Sequence, residues 1–220
     1  MSYDFDGTDD YIQLGGATTY APPLTLSCWF NPDVVPASGI RTLISLSEAT
    51  VGGSSGTTLN HSVLLLINSS QTLVARAAVN NGNSSSLSTN TWSTGTWSHA
   101  LGRFTSASNR IACLDGVIGT NSGASRAATN LDNLLMGRAS GGTYAGNNPF
   151  NGKLAEVAVW AATLADDEVV ALSKGAKASS IRPGDLVYYQ PLVRESSDVM
   201  SSEPVTVSGP LVFQHPRRYG

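Results

Sequence analysis

Charge is scarce in this chain. Only 13% of its 220 residues are Asp, Glu, Lys or Arg, about half the ~25% usual for soluble domains. Ser, Thr, Asn and Gly take the place of Lys and Glu, so the surface should be rich in hydroxyls and amides and suited to flat, wet contacts. Net charge is -3, and the longest basic run is Arg217-Arg218. Duplex nucleic acid, which is held by neutralising phosphates, is therefore excluded as an expected partner. Cysteine is nearly absent as well. Cys28 and Cys113 lie inside the apolar runs "LTLSCWF" and "RIACLDG", and without a C-x-x-C pair there is no thiolate metal site. Two buried thiols are the expectation; whether they pair depends on a separation that sequence does not give. No apolar stretch approaches the length that spans a membrane, and the N-terminus shows no basic region followed by an apolar run, so neither a membrane segment nor a signal peptide is expected. No repeat of 20–50 residues is present, which removes propellers and solenoids.

What is there is a succession of short apolar runs bounded by Gly, Asn, Ser or Pro, the pattern of strands and turns. In "LTLSCWF", Leu24, Leu26, Cys28 and Phe30 point one way and Thr25, Ser27 and Trp29 the other. "RTLISLS", "SVLLLIN", "TLVARAAVN", "WSHALGRF", "RIACLDGV", "LDNLLMGR" and "FNGKLAEVAVW" follow, each about one strand long. Asp115-Gly116 predicts a two-residue hairpin turn, because both positions of a type I′ turn need positive φ.

One segment departs from this pattern. "TLADDEVVALSKG" spaces Leu164, Val169 and Leu172 as a helix would, with three acids in the first turn and Gly175 as a stop. A helix over Asp166 to Lys174 is predicted, too short to stand without docking on a sheet. Beyond about Ile181 lie half of the ten prolines. Proline confines strands to edges, so "DLVYYQPL" and "PVTV" are expected as edge strands. The chain divides into a domain over residues 1–192 and a proline-rich edge strand and arm over 193–220.

The stretches "FDGTDDYIQLG", "LTLSCWFNP", "TWSHALGRF", "CLDG", "FNGKLAEVAVWAATLADDEVVALSKG" and "LVYYQPL" occur in the order seen in laminin-G-like, concanavalin-A-like lectin and glucanase domains. As a set they resemble that family over roughly residues 2 to 192. The resemblance implies an all-β fold, a two-sheet antiparallel jelly-roll sandwich with one short helix. A free-standing domain of this kind, ending in a proline-rich arm with "HPRR", looks most like those encoded by tailed bacteriophages.

The carboxylates of "FDGTDDYIQLGG" admit three readings. Glycosidases of the resembling family carry Glu-x-Asp-x-x-Glu on one strand, and retaining enzymes need two carboxyls about 5 Å apart. None of the glutamates, Glu48, Glu156, Glu168, Glu195 and Glu203, begins that motif, and no nucleophile elbow is present. His99 sits where the family places a strand histidine beside a tryptophan, a packing position. No catalytic residue is expected. Calcium, which takes six to eight oxygens, is the second reading. Family members hold it with acids near the first strand and an Asp-Glu pair before a late strand. Here Glu156 follows Ala155 rather than Asp, which removes a ligand, and Asp10 and Glu156 are the candidate metal residues. The third reading, and the preferred one, is structural: Asp6-Gly7 turns the chain between "SYDF" and "YIQL", with Asp side chains holding local N–H groups.

Among the four tryptophans, Trp97 and Trp160 lie in strand patterns and are assigned to the core. Trp92, in the polar stretch "SLSTNTWSTGTW", is the candidate glycan platform. Phe213, Arg217, Arg218 and Tyr219 in the terminal arm are candidates for contacting a partner. The favoured function is a non-enzymatic structural or adhesion protein of a phage virion, a capsid decoration or tail component. It would be located on the particle surface, bound to shell or tail proteins, and homo-oligomeric. The alternative is a lectin module recognising host or surface glycans, with a glycoside hydrolase a distant third.

Overall fold

A computed structural model of the chain describes residues 2–48, 61–80, 82–139, 148–191, 205–209 and 211–213. The strands are β1 (Ser2–Asp6), β2 (Tyr11–Tyr20), β3 (Leu24–Pro32), β4 (Ile40–Ser47), β5 (Ser62–Asn68), β6 (Leu73–Val79), β7 (Gly82–Leu87) and β8 (Ser98–Ser106). They continue with β9 (Asn109–Leu114), β10 (Val117–Ile118), β11 (Leu131–Met136), β12 (Asn151–Trp160), β13 (Leu186–Gln190), β14 (Val205–Ser208) and β15 (Leu211–Phe213). The one α-helix among the described residues, α1, runs Asp166–Ser173, one residue short of the predicted end. Among the described residues no helix is long and apolar enough to cross a membrane.

Two antiparallel sheets form the expected jelly-roll sandwich. Sheet A has the order β10-β9-β8-β3-β12-β1-β15, with β13 also paired to β12; sheet B has the order β14-β2-β11-β4-β5-β6-β7. Period-2 alternation places the core: Leu24, Leu26, Cys28 and Phe30 of β3 meet Val63, Leu65 and Ile67 of β5 between the sheets. The opposite face of sheet A is buried too, where α1 lays Val169 and Leu172 on Leu101, Cys113, Ala158 and Trp160. A helix of two turns holds only because it docks there. Its start is pinned by Arg103 Nη1, which donates to Leu164 O at 3.1 Å and Asp166 Oδ1 at 2.6 Å. Glu168 Oε2 accepts from Ala165 N–H at 2.6 Å.

Asp115 (φ 51°) and Gly116 (φ 80°) make the predicted hairpin turn, with Leu114 opposite Val117. Cys28 and Cys113 are free and buried, on opposite faces of sheet A, and burial raises the pKa of both thiols. Strand β7, "GNSSSL", has no apolar alternation and is not predicted by the sequence. Serine hydroxyls hold it instead. Ser84 Oγ lies 2.6 Å from Ser122 Oγ, and Ser86 Oγ donates to Thr120 O at 2.6 Å and accepts from Ala112 N–H at 3.0 Å, stitching the sheets along that edge.

The opposite edge is closed by the end of the chain. Strand β14 pairs with β2 in sheet B, and β15 pairs with β1 in sheet A. Between them Gly209 (φ +78°) passes so close to Asp10 that a Cβ would collide with Asp10 Oδ1.

Candidate functional site

Three places bear on function: the first turn, the outer face of sheet A, and the loop carrying Trp92.

In the first turn, oxygens of Asp6, Asp9 and Asp10 lie within 4.8 Å of one another. Two of the acids are committed to the backbone. Asp6 N–H donates to Asp10 Oδ2 at 2.9 Å, and Thr8 N–H donates to Asp6 Oδ1 at 2.7 Å. Burial, opposed by that backbone hydrogen bond and helped by the neighbouring charges of Asp6, Asp9 and Asp4, raises the pKa of Asp10. In charge and spacing the donors fit a hard, oxygen-seeking cation, yet the hydrogen bonds are those of an Asx turn. The structure does not bring the two candidate metal residues, Asp10 and Glu156, together. Asp6 is opposite Asn151, and Glu156 stands five residues further along β12, roughly 16 Å at the rise of a strand. One ion cannot be shared across that distance. Glu156 occupies a β-bulge, where Glu156 and Val157 oppose Cys28 alone and φ is +52°. The bulge re-aims the side chain so that its carboxylate accepts from Tyr189 O–H. Burial first, then that bond and the charge of Glu156, raise the phenol's pKa.

On the outer face of sheet A the sequence places Thr25, Ser27 and Trp29 together, and the fold sets His99 directly opposite Trp29. Imidazole and indole are 5.3 Å apart at 57°. Ser27 Oγ lies 2.9 Å from His99 Nε2. Asp115 clamps the same residue through the main chain: His99 N–H donates to its Oδ1 at 2.7 Å, and His99 O accepts from its N–H at 2.9 Å. This resembles a serine–histidine dyad only in distance. Ser27 and His99 are both 2% exposed, His99 Nδ1 is buried with no partner, and burial lowers the imidazole pKa to about 3. Among the described residues no carboxylate orients the ring, and both side chains are buried.

Beside this buried pair the face opens. Trp29 and Trp97 are half-buried. Since Ser98 is opposite Phe30, Trp97 falls one residue before β8, level with Asn31 and on the same face as Trp29 and His99. Trp29 and Trp97 are therefore diagonal cross-strand neighbours, a spacing of roughly 7–8 Å. The same face continues into Asn31, Lys153 and Asp4, which are in register across β3, β12 and β1. Lys153 Nζ reaches Asp33 Oδ1 at 3.0 Å and Asp4 Oδ2 at 3.6 Å. Two half-buried indoles are thus bordered by a buried amide and a carboxylate–ammonium cluster on the outer face of sheet A.

Trp92 is a correction. It is 1% exposed, edge-on to Phe30 with centroids 6.3 Å apart, and its Nε1–H donates to Thr72 O at 3.4 Å. Gln71 Nε2 donates to Trp92 O at 3.0 Å. The polar loop folds its one large apolar side chain into the core, and an enclosed indole offers no face to a sugar. Trp160 is fully buried as expected, whereas Trp97, assigned to the core, is only half-buried. The sequence signal for Trp29 and Trp97 was their phase, opposite to the core residues of their strands. Phe213 belongs to β15, paired with Ser2; Arg217, Arg218 and Tyr219 lie outside the described residues.

Two twisted antiparallel sheets, one covered by a short helix, and no assembled catalytic constellation among the described residues define a lectin-like jelly roll. The chain belongs to the concanavalin A-like lectin/glucanases superfamily, whose pattern it matches over residues 6–170. Comparison with curated protein sequences finds no match. Among solved structures it is similar to a candidate carbohydrate binding protein from Bacteroides ovatus, with TM-score 0.64 and 17% identity over 96% of this chain and 58% of that one. It is also similar to the heptameric SAP-like pentraxin of Limulus polyphemus (TM-score 0.61, 15% identity, 96% and 93%). A third likeness is to tailspike protein 2 of Escherichia coli O157:H7 bacteriophage CAB120 (TM-score 0.58, 14% identity, 89% and 30%). This chain thus spans little more than half of the Bacteroides protein and under a third of the tailspike. At such identities the likeness is one of fold.

Proposed function

We propose that this chain is a non-enzymatic, lectin-like module that binds a glycan on the outer face of sheet A. The observation that carries this reading is the diagonal pair Trp29, on β3, and Trp97, just before β8, both half-buried, with Trp29 packed against the ring of His99. Flat aromatic faces receive the C–H faces of pyranose rings, and the bordering Lys153 and Asp4 supply a donor and an acceptor for hydroxyls. A low-charge surface is consistent with neutral sugars. The test is a glycan array followed by titration of the best ligand into Trp97→Ala and Trp29→Ala. Each should weaken binding about tenfold or more, a difference of ~1.4 kcal/mol, with Trp97→Ala leaving the melting temperature close to that of the parent. An array with no specific binder overturns the reading.

A second reading, a structural component of a phage virion, is supported by the fold likeness to the CAB120 tailspike. In that reading the domain of residues 1–192 is displayed on the particle while the arm of residues 193–220 contacts shell or tail proteins or another copy through Phe213, Arg217, Arg218 and Tyr219. The two roles are compatible, since a displayed lectin is a means of adhesion. Light scattering on the purified full chain tests self-association: a monomer at all concentrations removes the homo-oligomer.

A further inference from the structure

A charge arrangement with no part in the glycan reading lies at the far end of strand β8. Arg110, on β9, is completely buried, yet among the described residues it meets no carboxylate. Its Nη1 donates to Ala124 O at 2.9 Å and Ser122 O at 3.4 Å, and its Nη2 donates to Ala107 O. Three carbonyl dipoles solvate the cation without neutralising it, whereas buried charges are ordinarily paired. A second arginine shares one of these carbonyls. Arg126 N–H donates to the same carbonyl, Ala107 O, at 2.7 Å, and Arg126 is near enough to oppose the charge of Arg110.

Arg126 also forms no ion pair among the described residues. Its Nη1 donates to Ser125 O at 2.6 Å, and its guanidinium lies flat against Gly82. A Cβ at Gly82 would sit 2.9 Å from Nη2 and 3.1 Å from both Cζ and Nε. Thus glycine at the start of β7 is what lets the fork settle there. The Nε atoms of both arginines are buried without a partner. A loop-tying role accounts for the bonds of Arg110 to three carbonyls. It does not account for a second arginine drawn to the same carbonyl, with neither cation in an ion pair among the described residues, in a chain whose net charge is -3.

We propose that Arg126, backed by Arg110, forms a subsite for an oxyanion, the carboxylate or sulfate group of a ligand, at the corner where Gly82 at the start of β7, the β8–β9 turn and residues 120–128 meet. An oxyanion accepts charge-assisted hydrogen bonds from a guanidinium fork and relieves the repulsion between the two arginines. The corner is separated from Trp97 by the length of β8, roughly 26 Å at strand rise, so the subsite is independent of the glycan face.

The experiment is an NMR titration of the full chain with sodium sulfate and, separately, sodium glucuronate, each against sodium chloride at matched ionic strength. Saturable shifts of the Gly82, Asn83 and Arg126 amides are expected with at least one of the two. Sulfate alone assigns the site to sulfate esters, glucuronate alone to carboxylates, and both to either oxyanion. Arg126→Gln should weaken that binding tenfold or more while its melting temperature stays near the parent's, and Arg126→Lys should lose less. Gly82→Ala, which pushes the guanidinium away while keeping its charge, should weaken it as well. The proposal is overturned if neither anion gives saturable shifts at this corner, or if Arg126→Gln and Gly82→Ala both bind like the parent.

Discussion

Ser27 Oγ and His99 Nε2 are 2.9 Å apart on the outer face of sheet A, sealed from solvent, with the imidazole tilted against Trp29. The bond fixes the ring that supports Trp29, and the seal keeps the ring neutral. A nucleophile-to-base distance thus serves here to position an aromatic surface.

That seal sets a pH dependence. Burial holds the folded-state pKa of His99 at about 3, against ~6.5 in an unfolded chain. Between these values the unfolded state binds more protons, so stability rises with pH through the window and is lost as pH falls from about 6.5 toward 3. The loss from this one residue amounts to as much as ~3 kcal/mol by pH 4. Urea melts of the parent and His99→Gln at pH 7.5 and pH 4.5 measure it. The substitution should cost stability at pH 7.5 and narrow the gap between the two pH values; an equal gap in both proteins rules out His99 as its source.

The first turn makes an opposite prediction. With Asp6 and Asp10 engaged by the N–H groups of Thr8 and Asp6, a chelator should leave the melting temperature unchanged, because only a ligand bound to the native state raises it. The folded-state pKa of Asp10 is raised, so above its unfolded value the native state is the one that holds the proton more tightly, and stability declines as pH rises through that range. Asp10→Asn, which keeps an acceptor for Asp6 N–H and removes one of the crowded charges, should therefore equal or exceed the parent at pH 7. A melting temperature that drops by several degrees with chelator, returns with calcium and is insensitive to chelator in Asp10→Asn would assign the cluster to a cation instead.

The chain end is the third case. Because β14 and β15 extend β2 and β1, their removal leaves two strand edges with open donors and acceptors. A chain ending at Pro191 should melt several degrees below the full chain, and one ending at Ser208, which keeps β14, should lie between. Association is scored separately by light scattering. Loss of self-association without loss of stability would make the segment an attachment arm rather than part of its own sandwich.

Much of the architecture is local information. The phase of Leu24, Leu26, Cys28 and Phe30, the positive-φ turn at Asp115-Gly116, and the acids of Asp166 to Glu168 each act within a few residues, so strand, hairpin and helix were legible in the chain. Strand β7 was not, since its support comes from Ala112 on the other sheet and from Thr120 and Ser122 in the segment after β10 rather than from its own alternation.

The site residues divide along the same line. Local polarity made Trp92 look exposed, yet the fold drives its indole against Phe30, because burying a large apolar side chain outweighs the polarity of its neighbours. Asp10 and Glu156 looked like partners by family position, and a bulge in β12 and five residues of strand separate them. Trp29 faces His99, and Arg110 shares Ala107 O with Arg126, through pairings between strands and loops that no local pattern encodes. The sequence by itself determined which segments become strands and which of their faces are apolar, because backbone geometry fixes a two-residue period. Only the tertiary structure decided which polar-phase side chains are covered and which remain at the surface, because cross-strand register and the docking of α1 are set by contacts between residues far apart in the chain.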